Sequence, residues 1–389
     1  MNVKVRRLWR LAVVIGAMGL VASACSSSTP SSSSTTQGSS SASPGVAQAQ
    51  ALVNKYLGNP PFTSPGPSFD ATKAAGKTLF SLPASSSTAF VNVVDQAMAA
   101  YAKALGINYV DYPNQQQQSQ WVQGMNQAIS DKANAIDLLA GIPPEQLQPE
   151  IQAAKNAGIP TVDTNERDPS QPTQPYIAAY TFAPFNLAGQ LMAAWAVSQT
   201  QGKADVLVVT SNANVASQAV QDGINAEMKR ACSSCKVTAQ NVNPVDWATK
   251  LLPTVEGAIS GDPNMNYILP VFDSMAQFIA PGIVAAGKSG QIHVASFNGT
   301  PAILDMIRTG NVVTMDVGEN TSNVAAAGLD QAMRIMLGMT PAKEQIDVRI
   351  MDKSNVAQAG VPAVSGEGYG NAFLAGYAQT WQVPVNKLG

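Results

Sequence analysis

The residue types that most often carry catalysis are scarce in this chain of 389 residues. It contains a single histidine, His293, and three cysteines. A Ser-His-Asp or Cys-His arrangement needs a histidine beside the nucleophile, whereas His293 lies in the apolar segment 291–297, which is typical of a packed strand. The pattern Gly-x-Ser-x-Gly does not occur, and both Ala-Ala-Gly-Lys segments lack the first glycine of a phosphate-binding loop. No carboxylate pair stands out by its spacing, as a glycosidase would need. The sequence therefore argues against an enzyme.

The N-terminus has the features of an export signal. Basic residues over 4–10 are followed by an apolar run over 11–21 and by small residues before Cys25. This pattern is typical of a secretory signal peptide, here residues 1–24, and the run is too short for a retained transmembrane helix. The segment LVASAC resembles a bacterial lipobox, which implies cleavage before Cys25 and lipidation of its thiol. The alternative is a signal peptide cut before an incidental free cysteine. We expect an exported chain, anchored by lipid to the extracytoplasmic face of the cell membrane.

Composition divides the remainder into a linker and a globular body. Residues 25–45 are nearly all Ser, Thr, Pro, Gly, Gln and Ala, which predicts a disordered linker after the lipidated cysteine. The body, from residue 46 onward, is long enough for two domains. Hydrophobic residues make up 45% of the chain and charged residues 12%, with a formal net charge of −2. The absence of any Lys/Arg run argues against a nucleic-acid partner. We expect a monomer.

The two remaining cysteines, Cys232 and Cys235, follow a predicted helix and precede a predicted strand. A thioredoxin-like redox pair would instead open a helix after an early strand. A zinc site would need further ligands, and His293 is the only histidine. Because export favours disulfides, we predict a local bond between these two residues. No metal or cofactor is expected.

Short apolar segments alternate with helical patterns along the body. Strands are predicted over 77–82, 108–112, 135–139, 158–162, 176–179, 205–209, 236–240, 267–269 and 293–297. This alternation predicts βαβ units and parallel sheets covered by helices on both faces. The fold class is therefore α/β, with two doubly wound, Rossmann-like lobes in series. Ligands of such sheets bind beyond the carboxyl ends of the strands.

Three segments resemble the ribose-type periplasmic binding proteins that serve sugar-importing ABC transporters. These are AAKNAGIPTVDTN from Ala153, ADVLVVTSN from Ala204 and VASFNGTPAILDMIRTGNVVTMD from Val294. The resemblance covers about residues 75–352. It implies a three-segment hinge between the lobes, with a ligand cleft between them. One lobe would hold 46–181 and 318–346, and the other 182–317 and 347–389. The tail after 351 is longer than the family norm, and we expect it to pack on the surface of a lobe.

The resemblance also implies candidate ligand-binding residues, taken position by position. The loop after the first strand corresponds to the family's polar ligand loop, and Trp247 lies where relatives stack an aromatic ring on a sugar. Where relatives have an Asp-Arg pair, this chain has Asn165 and Glu166, and where they have an Arg before a Gly, it has Asp222. The full set is Ser85, Ser86, Ser87, Phe90, Asn165, Glu166, Phe185, Asp222, Trp247, Phe272, Asp273, Asn298 and Asp316.

Loss of the family's arginines leaves an acidic and aromatic set of candidates. An anionic ligand would face uncompensated carboxylates in a closed cleft and is disfavoured. We expect a small neutral ligand, a sugar or polyol first, and a neutral aromatic or amine-bearing compound second. Hinge closure would present the complex to an ABC permease. A sensory receptor of the same fold and a structural envelope lipoprotein remain as alternatives.

Overall fold

The structure is a computed structural model that describes residues 43–310 and 312–389. The predicted signal peptide, Cys25 with its lipid anchor, and most of the predicted linker lie outside the described residues. The end of that linker differs from the expectation, because residues 44 and 45 are helical. Ser43 caps this helix by accepting a hydrogen bond from the Val46 backbone N–H at 3.4 Å. Pro44 suits the first helical position because its missing N–H would have no partner there.

The strands of the described residues form two six-stranded sheets. In chain order they are β1 (Thr78–Pro83), β2 (Asn108–Asp111), β3 (Ala135–Leu139), β4 (Thr161–Thr164), β5 (Ala179–Phe182), β6 (Asp205–Thr210), β7 (Lys236–Asn241), β8 (Tyr267–Pro270), β9 (His293–Asn298), β10 (Val313–Glu319), β11 (Glu344–Gln345) and β12 (Val348–Asp352). The strand orders are β11-β5-β4-β3-β1-β2 and β12-β10-β9-β8-β6-β7. Neighbouring strands are parallel, except that β12 is antiparallel to β10.

Helices cover both faces of each sheet, as expected for parallel sheets with apolar strands. In chain order they are α1 (Pro44–Lys55), α2 (Ala89–Leu105), α3 (Gln118–Ser130), α4 (Gln148–Asn156), α5 (Phe185–Gln199), α6 (Val215–Ala231), α7 (Trp247–Gly261), α8 (Ala276–Ala285), α9 (Pro301–Thr309), α10 (Thr321–Met336) and α11 (Ala372–Thr380). Each sheet has its own hydrophobic core. The predicted fold class is therefore confirmed. The strand predicted over 176–179 is displaced, since β5 begins at Ala179.

The N-terminal lobe is built on β1–β5 and β11, and the C-terminal lobe on β6–β10 and β12. The chain crosses between the lobes after β5, after β10 and between β11 and β12. These three crossings are the hinge that the resemblance implied. In their parallel part, both sheets have the 2-1-3-4-5 strand order of doubly wound folds. Such folds bind ligands at the point where the strand order reverses, beyond the carboxyl ends of the strands.

Two terminal elements lie on a different lobe from the one expected. Helix α1, expected in the N-terminal lobe, packs Val46, Ala49 and Val53 into the core of the C-terminal lobe. That approach is close because Gly45 lacks a side chain: a Cβ there would lie 2.0 Å from the Ala231 carbonyl oxygen. Conversely, the region around α11, expected in the C-terminal lobe, contributes Trp381 to the N-terminal core.

Two further features of the described residues bear on the sequence predictions. Cys232 and Cys235, between α6 and β7, are joined by a disulfide with an S–S distance of 2.00 Å. None of the helices within 43–310 and 312–389 combines the length and the apolar character needed to cross a membrane.

Candidate ligand-binding site

A cavity lies between the lobes at the carboxyl ends of the strands. It contains about 440 Å³ of space not filled by protein atoms, a volume that includes space open to solvent. Residues that follow strands of both sheets line it: Thr88, Phe90, Val91, Ala140, Gly141, Asn165, Glu166, Phe185, Asn214, Ala216, Trp247, Phe272, Ser274 and Asn298. We call this the inner cavity.

Four aromatic side chains form much of the wall of the inner cavity. Phe90 lies in the first turn of α2, while Phe185 and Trp247 are the first residues of α5 and α7. The indole N–H of Trp247 donates to the Val242 carbonyl oxygen at 3.0 Å, and its ring centroid lies 6.4 Å from that of Phe272. The hydrogen bond satisfies the polar edge of the indole within the protein, so the ring can serve the cavity as an apolar surface.

The polar part of the cavity is organised by Glu319, a fully buried residue at the end of β10. Its carboxyl group accepts from Asn165 Nδ2 of the N-terminal lobe at 3.3 Å and from Asn298 Nδ2 of the C-terminal lobe at 3.4 Å. Burial raises the pKa of Glu319 to about 8, although both amide donors lower it. Glu319 therefore joins both lobes to one carboxyl group at the hinge.

Asn165 and Asn298 both adopt positive φ, 59° and 148° respectively. Asparagine tolerates this region better than most residues do, and such conformations concentrate at functional sites. From these conformations both amide groups donate to Glu319.

Glu166 bridges the lobes at a second point. It is 1% exposed, and its Oε1 accepts from the Val215 backbone N–H, the first residue of α6, at 3.1 Å. Its Oε2 has no partner among the described residues. Burial, followed by the nearby Asp163, raises the pKa of Glu166 well above its ordinary value.

Asp273 and Asp316 lie in the C-terminal lobe and do not line the inner cavity. Asp273 Oδ2 accepts from the Thr300 N–H at 2.7 Å and from its hydroxyl at 2.6 Å. Asp316 accepts from the Ser296 hydroxyl at 2.5 Å and from the Gly299 N–H at 2.7 Å. Burial raises the pKa of Asp316 to about 6 and that of Asp273 well above its usual range. These two residues hold the loop after β9 and act on the cavity through it.

The predicted serines and Asp222 lie away from the inner cavity. Ser85 and Ser87 line an outer cavity at its mouth, and Ser86 Oγ accepts from the Asn114 N–H at 3.1 Å. Asp222 is exposed on α6, where it accepts from Gln218 Nε2 at 2.8 Å. Its position follows from its neighbour Gly223, which packs so closely on the Asn186 carbonyl oxygen that a Cβ would lie 1.9 Å from it. With Gly223 inward, Asp222 faces solvent.

Several residues of the site were not among those predicted from the sequence, namely Thr88, Gly141, Asn214, Ser274 and Glu319. Asn214 follows β6 and Gly141 follows β3, so the rule that loops after strands carry the site could have found them. No sequence signal marked Glu319. Among the described residues, no cluster of three or more His, Cys, Asp or Glu side chains could hold a metal ion.

A family model described as "Periplasmic binding protein domain" matches residues 78–340. The chain belongs to this family. Two relatives are similar in sequence. The D-allose-binding periplasmic protein of Escherichia coli (strain K12) is 29% identical over 127 residues, 32% of this chain and 40% of that protein. The D-ribose/D-allose-binding protein of Pseudomonas aeruginosa is 23% identical over 54% of this chain and 67% of that protein.

Solved structures show the same fold. A solute binding protein of an ABC transporter from Mycobacterium smegmatis, with bound glycerol, has a TM-score of 0.66 at 17% identity, covering 75% of this chain and 99% of that one. One from Bacillus halodurans, with bound myo-inositol, has a TM-score of 0.65 at 15% identity, covering 74% and 99%. At these identities the likeness supports the architecture alone.

Proposed function

We propose that this protein is the solute-binding component of an ABC importer and that it captures a sugar or polyol in the inner cavity. The observation that carries the proposal is an aromatic-walled cavity between two lobes joined by a three-segment hinge. Flat aromatic faces suit the apolar faces of sugar rings. The relatives named above for D-allose and D-ribose support this class of ligand. No catalytic step is proposed.

Binding would act by shifting the population of open and closed forms. Few direct hydrogen bonds join the lobes at the cavity, and the one from Val215 N–H to Glu166 is among them. A ligand that contacts both walls adds contacts only in the closed form, and only such differential affinity can favour that form. We propose that the closed form engages a membrane permease, while a lipid on Cys25 keeps the protein at the extracytoplasmic face. The family's periplasmic character supports that location.

A thermal-shift screen of the mature chain tests the proposal. The panel would contain D-allose, D-ribose, myo-inositol, glycerol, and amino-substituted sugars and polyols. A ligand that binds only the folded form raises the melting temperature, so we expect at least one compound to do so. Absence of any shift across the panel would contradict binding of this ligand class.

Replacing Trp247 with Ala then tests the site itself. Because the indole forms part of the cavity wall, we expect affinity by calorimetry to fall at least about tenfold. Leu252→Ala, on the exposed side of the same helix, is the matched control and should bind normally. If Trp247→Ala and Leu252→Ala bound the ligand with equal affinity, Trp247 would not contribute to ligand binding.

A further inference from the structure

One carboxyl oxygen in the inner cavity lacks a partner. Glu166 is 1% exposed, and only its Oε1 accepts a hydrogen bond, from Val215 N–H. Its Oε2 has no partner among the described residues and lies beside the cavity residue Gly141, where a Cβ would be 3.8 Å from it. A buried carboxyl oxygen without a donor is costly. As a carboxylate, Glu166 therefore needs a donor at Oε2 that the described residues do not provide.

No basic side chain hydrogen-bonds this oxygen among the described residues. None of the described residues that line the inner cavity is Lys, Arg or His. The nearest basic neighbour in sequence, Arg167, forms ion pairs with Glu145 and with Asp163, the latter at 3.5 Å. A ligand in the cavity is therefore placed to supply the missing donor.

The remaining polar groups of the cavity also favour a ligand rich in donors. The amide nitrogens of Asn165 and Asn298 are turned toward Glu319, so their carbonyl oxygens are left as acceptors. The Oδ1 of Asn214 is a further acceptor with no partner among the described residues. A hydroxyl group brings acceptor lone pairs that find few donors here, whereas an ammonium group has three donors and no acceptor.

The aromatic wall favours a cation for a separate reason. Phe90, Phe185, Trp247 and Phe272 line the same cavity as Glu166. The face of an aromatic ring attracts a cation, most strongly in a desolvated site. Aromatic faces and a carboxylate together recognise an ammonium group better than a neutral hydroxyl.

We infer that the ligand is a sugar or polyol that carries a primary amine, whose ammonium group donates to Glu166 Oε2 within the aromatic wall. This inference rests on the proposed function and specifies its ligand class.

Protonation of Glu166 gives the inference a distinct signature. Burial and Asp163 raise its pKa, while the Val215 N–H and Arg167 lower it and Glu145 raises it again. The raised pKa favours the protonated form of the free carboxyl group, whereas an ammonium ligand favours the carboxylate. At a pH where the free carboxyl group holds a proton, binding releases that proton to solvent, and Oε2 then accepts from the ammonium group instead.

Matched ligand pairs that differ only by an amine in place of a hydroxyl test the inference. The pairs are D-glucosamine with D-glucose, 1-amino-1-deoxysorbitol with sorbitol, and 2-amino-1,3-propanediol with glycerol. Calorimetry at pH 7 on the mature chain should show the amine tighter by about tenfold or more in at least one pair. Repeating the titration at several pH values, in buffers of different ionisation enthalpy, measures the proton that binding of that amine releases.

The variant Glu166→Gln separates this inference from the proposed function. It keeps an acceptor for Val215 N–H and should reduce the preference for the amine to less than about twofold. The matched control, Asp222→Asn, makes the same charge change on the exposed face of α6 and should keep the preference. If the hydroxyl members bind equally well or better in every pair, the inference fails and the proposed function stands. If no member of any pair binds, both fail.

Discussion

The two ends of the boundary between the lobes are held together in different ways. At the cavity end, the described hydrogen bonds between lobes include Val215 N–H to Glu166, Gln171 Nε2 to the Val215 carbonyl at 3.1 Å, and Asn186 N–H to Asp168 at 2.9 Å. At the hinge end, chain segments from both termini lie across the crossings. The cavity end keeps unpartnered acceptors, whereas the hinge end is mostly complete without a ligand.

Arg349 on β12 is the centre of the hinge end. It is 3% exposed, and its guanidinium donates to the Leu57 carbonyl at 2.9 Å, to Gln358 at 2.9 Å and to the Gly368 carbonyl. One side chain thus ties a segment before the family-matched region to the tail that follows it. Nearby, the hydroxyls of Thr321 and Ser365 lie 2.6 Å apart.

This difference indicates where motion can occur at low cost. Opening the cavity end breaks a few hydrogen bonds, while separating the lobes at the hinge end would expose many buried polar groups. Regions with few cross-contacts are the ones that open first. We therefore expect the lobes to rotate about the hinge end, with the ligand supplying the contacts that are missing at the cavity end.

The largest predicted effect concerns pH, because Glu319 lies where the two ends meet. Its pKa is raised from an ordinary 4.5 to about 8 by burial, so the folded protein holds a proton there that the unfolded chain loses. The contribution of Glu319 to the free energy of unfolding is fully present below about pH 4.5, is lost as pH rises toward 8, and then levels off. At about 1.4 kcal/mol per unit of pKa shift, the fall amounts to several kcal/mol. Urea unfolding of the ligand-free protein at pH 5, 6, 7 and 8 measures it.

The variant Glu319→Gln should reduce this pH dependence, since it removes one of the titrating groups. Other carboxyl groups leave a substantial slope of the same sign, among them Asp111 and Asp316, with pKa values raised to about 6, and Asp137, with its pKa raised to about 7. The exposed Glu367→Gln is the control and should leave the slope unchanged. A stability that rises between pH 5 and 8 would contradict the account of Glu319.

The next effect in size tests the C-terminal tail through Trp381, which lies in the core of the N-terminal lobe. This side chain is fully buried, and its indole N–H donates to Asp330 on α10 at 2.8 Å. Truncation to Ala leaves a large cavity and should lower the free energy of unfolding by about 3–5 kcal/mol. Calorimetry on the folded variant should show unchanged ligand affinity, because Trp381 does not line the cavity. Val385 is half exposed in the same tail and supplies the control, because Val385→Ala should leave the free energy of unfolding nearly unchanged. If Trp381→Ala lost ligand affinity without losing stability, the purely structural role of Trp381 would be wrong.

The sequence predicted the parts of the molecule that follow local rules. Alternating apolar strands and helices predicted both sheets, because each strand and helix depends on a short segment and on the geometry common to all doubly wound sheets. The family resemblance supplied Phe90, Asn165, Glu166 and Trp247, which line one cavity in the structure, and their role in ligand binding stays a prediction.

The parts that were missed depend on contacts between distant segments. Glu319 matters only because Asn165 and Asn298 reach it from two different lobes. Helix α1 docks where Gly45 can approach Ala231 closely, and no local pattern reveals which lobe offers that surface. Asp222 is exposed because its neighbour Gly223 packs closely on Asn186 of α5, and the family resemblance contained no information on that contact.

The smallest predicted effect distinguishes two tyrosines of the tail by sign. Tyr369 fills a slot beside Gly299 and Gly318, where added Cβ atoms would lie 2.2 and 1.9 Å from its hydroxyl, and this buried hydroxyl has no partner among the described residues. Removing an unsatisfied buried group relieves its desolvation cost, so Tyr369→Phe should raise the free energy of unfolding by about 1 kcal/mol. The hydroxyl of Tyr377, by contrast, donates to the buried Glu344 at 3.0 Å, and Tyr377→Phe should lower it by about 1–3 kcal/mol. Urea unfolding of both variants at one pH decides the matter: if both lose stability equally, the Tyr369 hydroxyl has a partner and the hinge end is complete at that position as well.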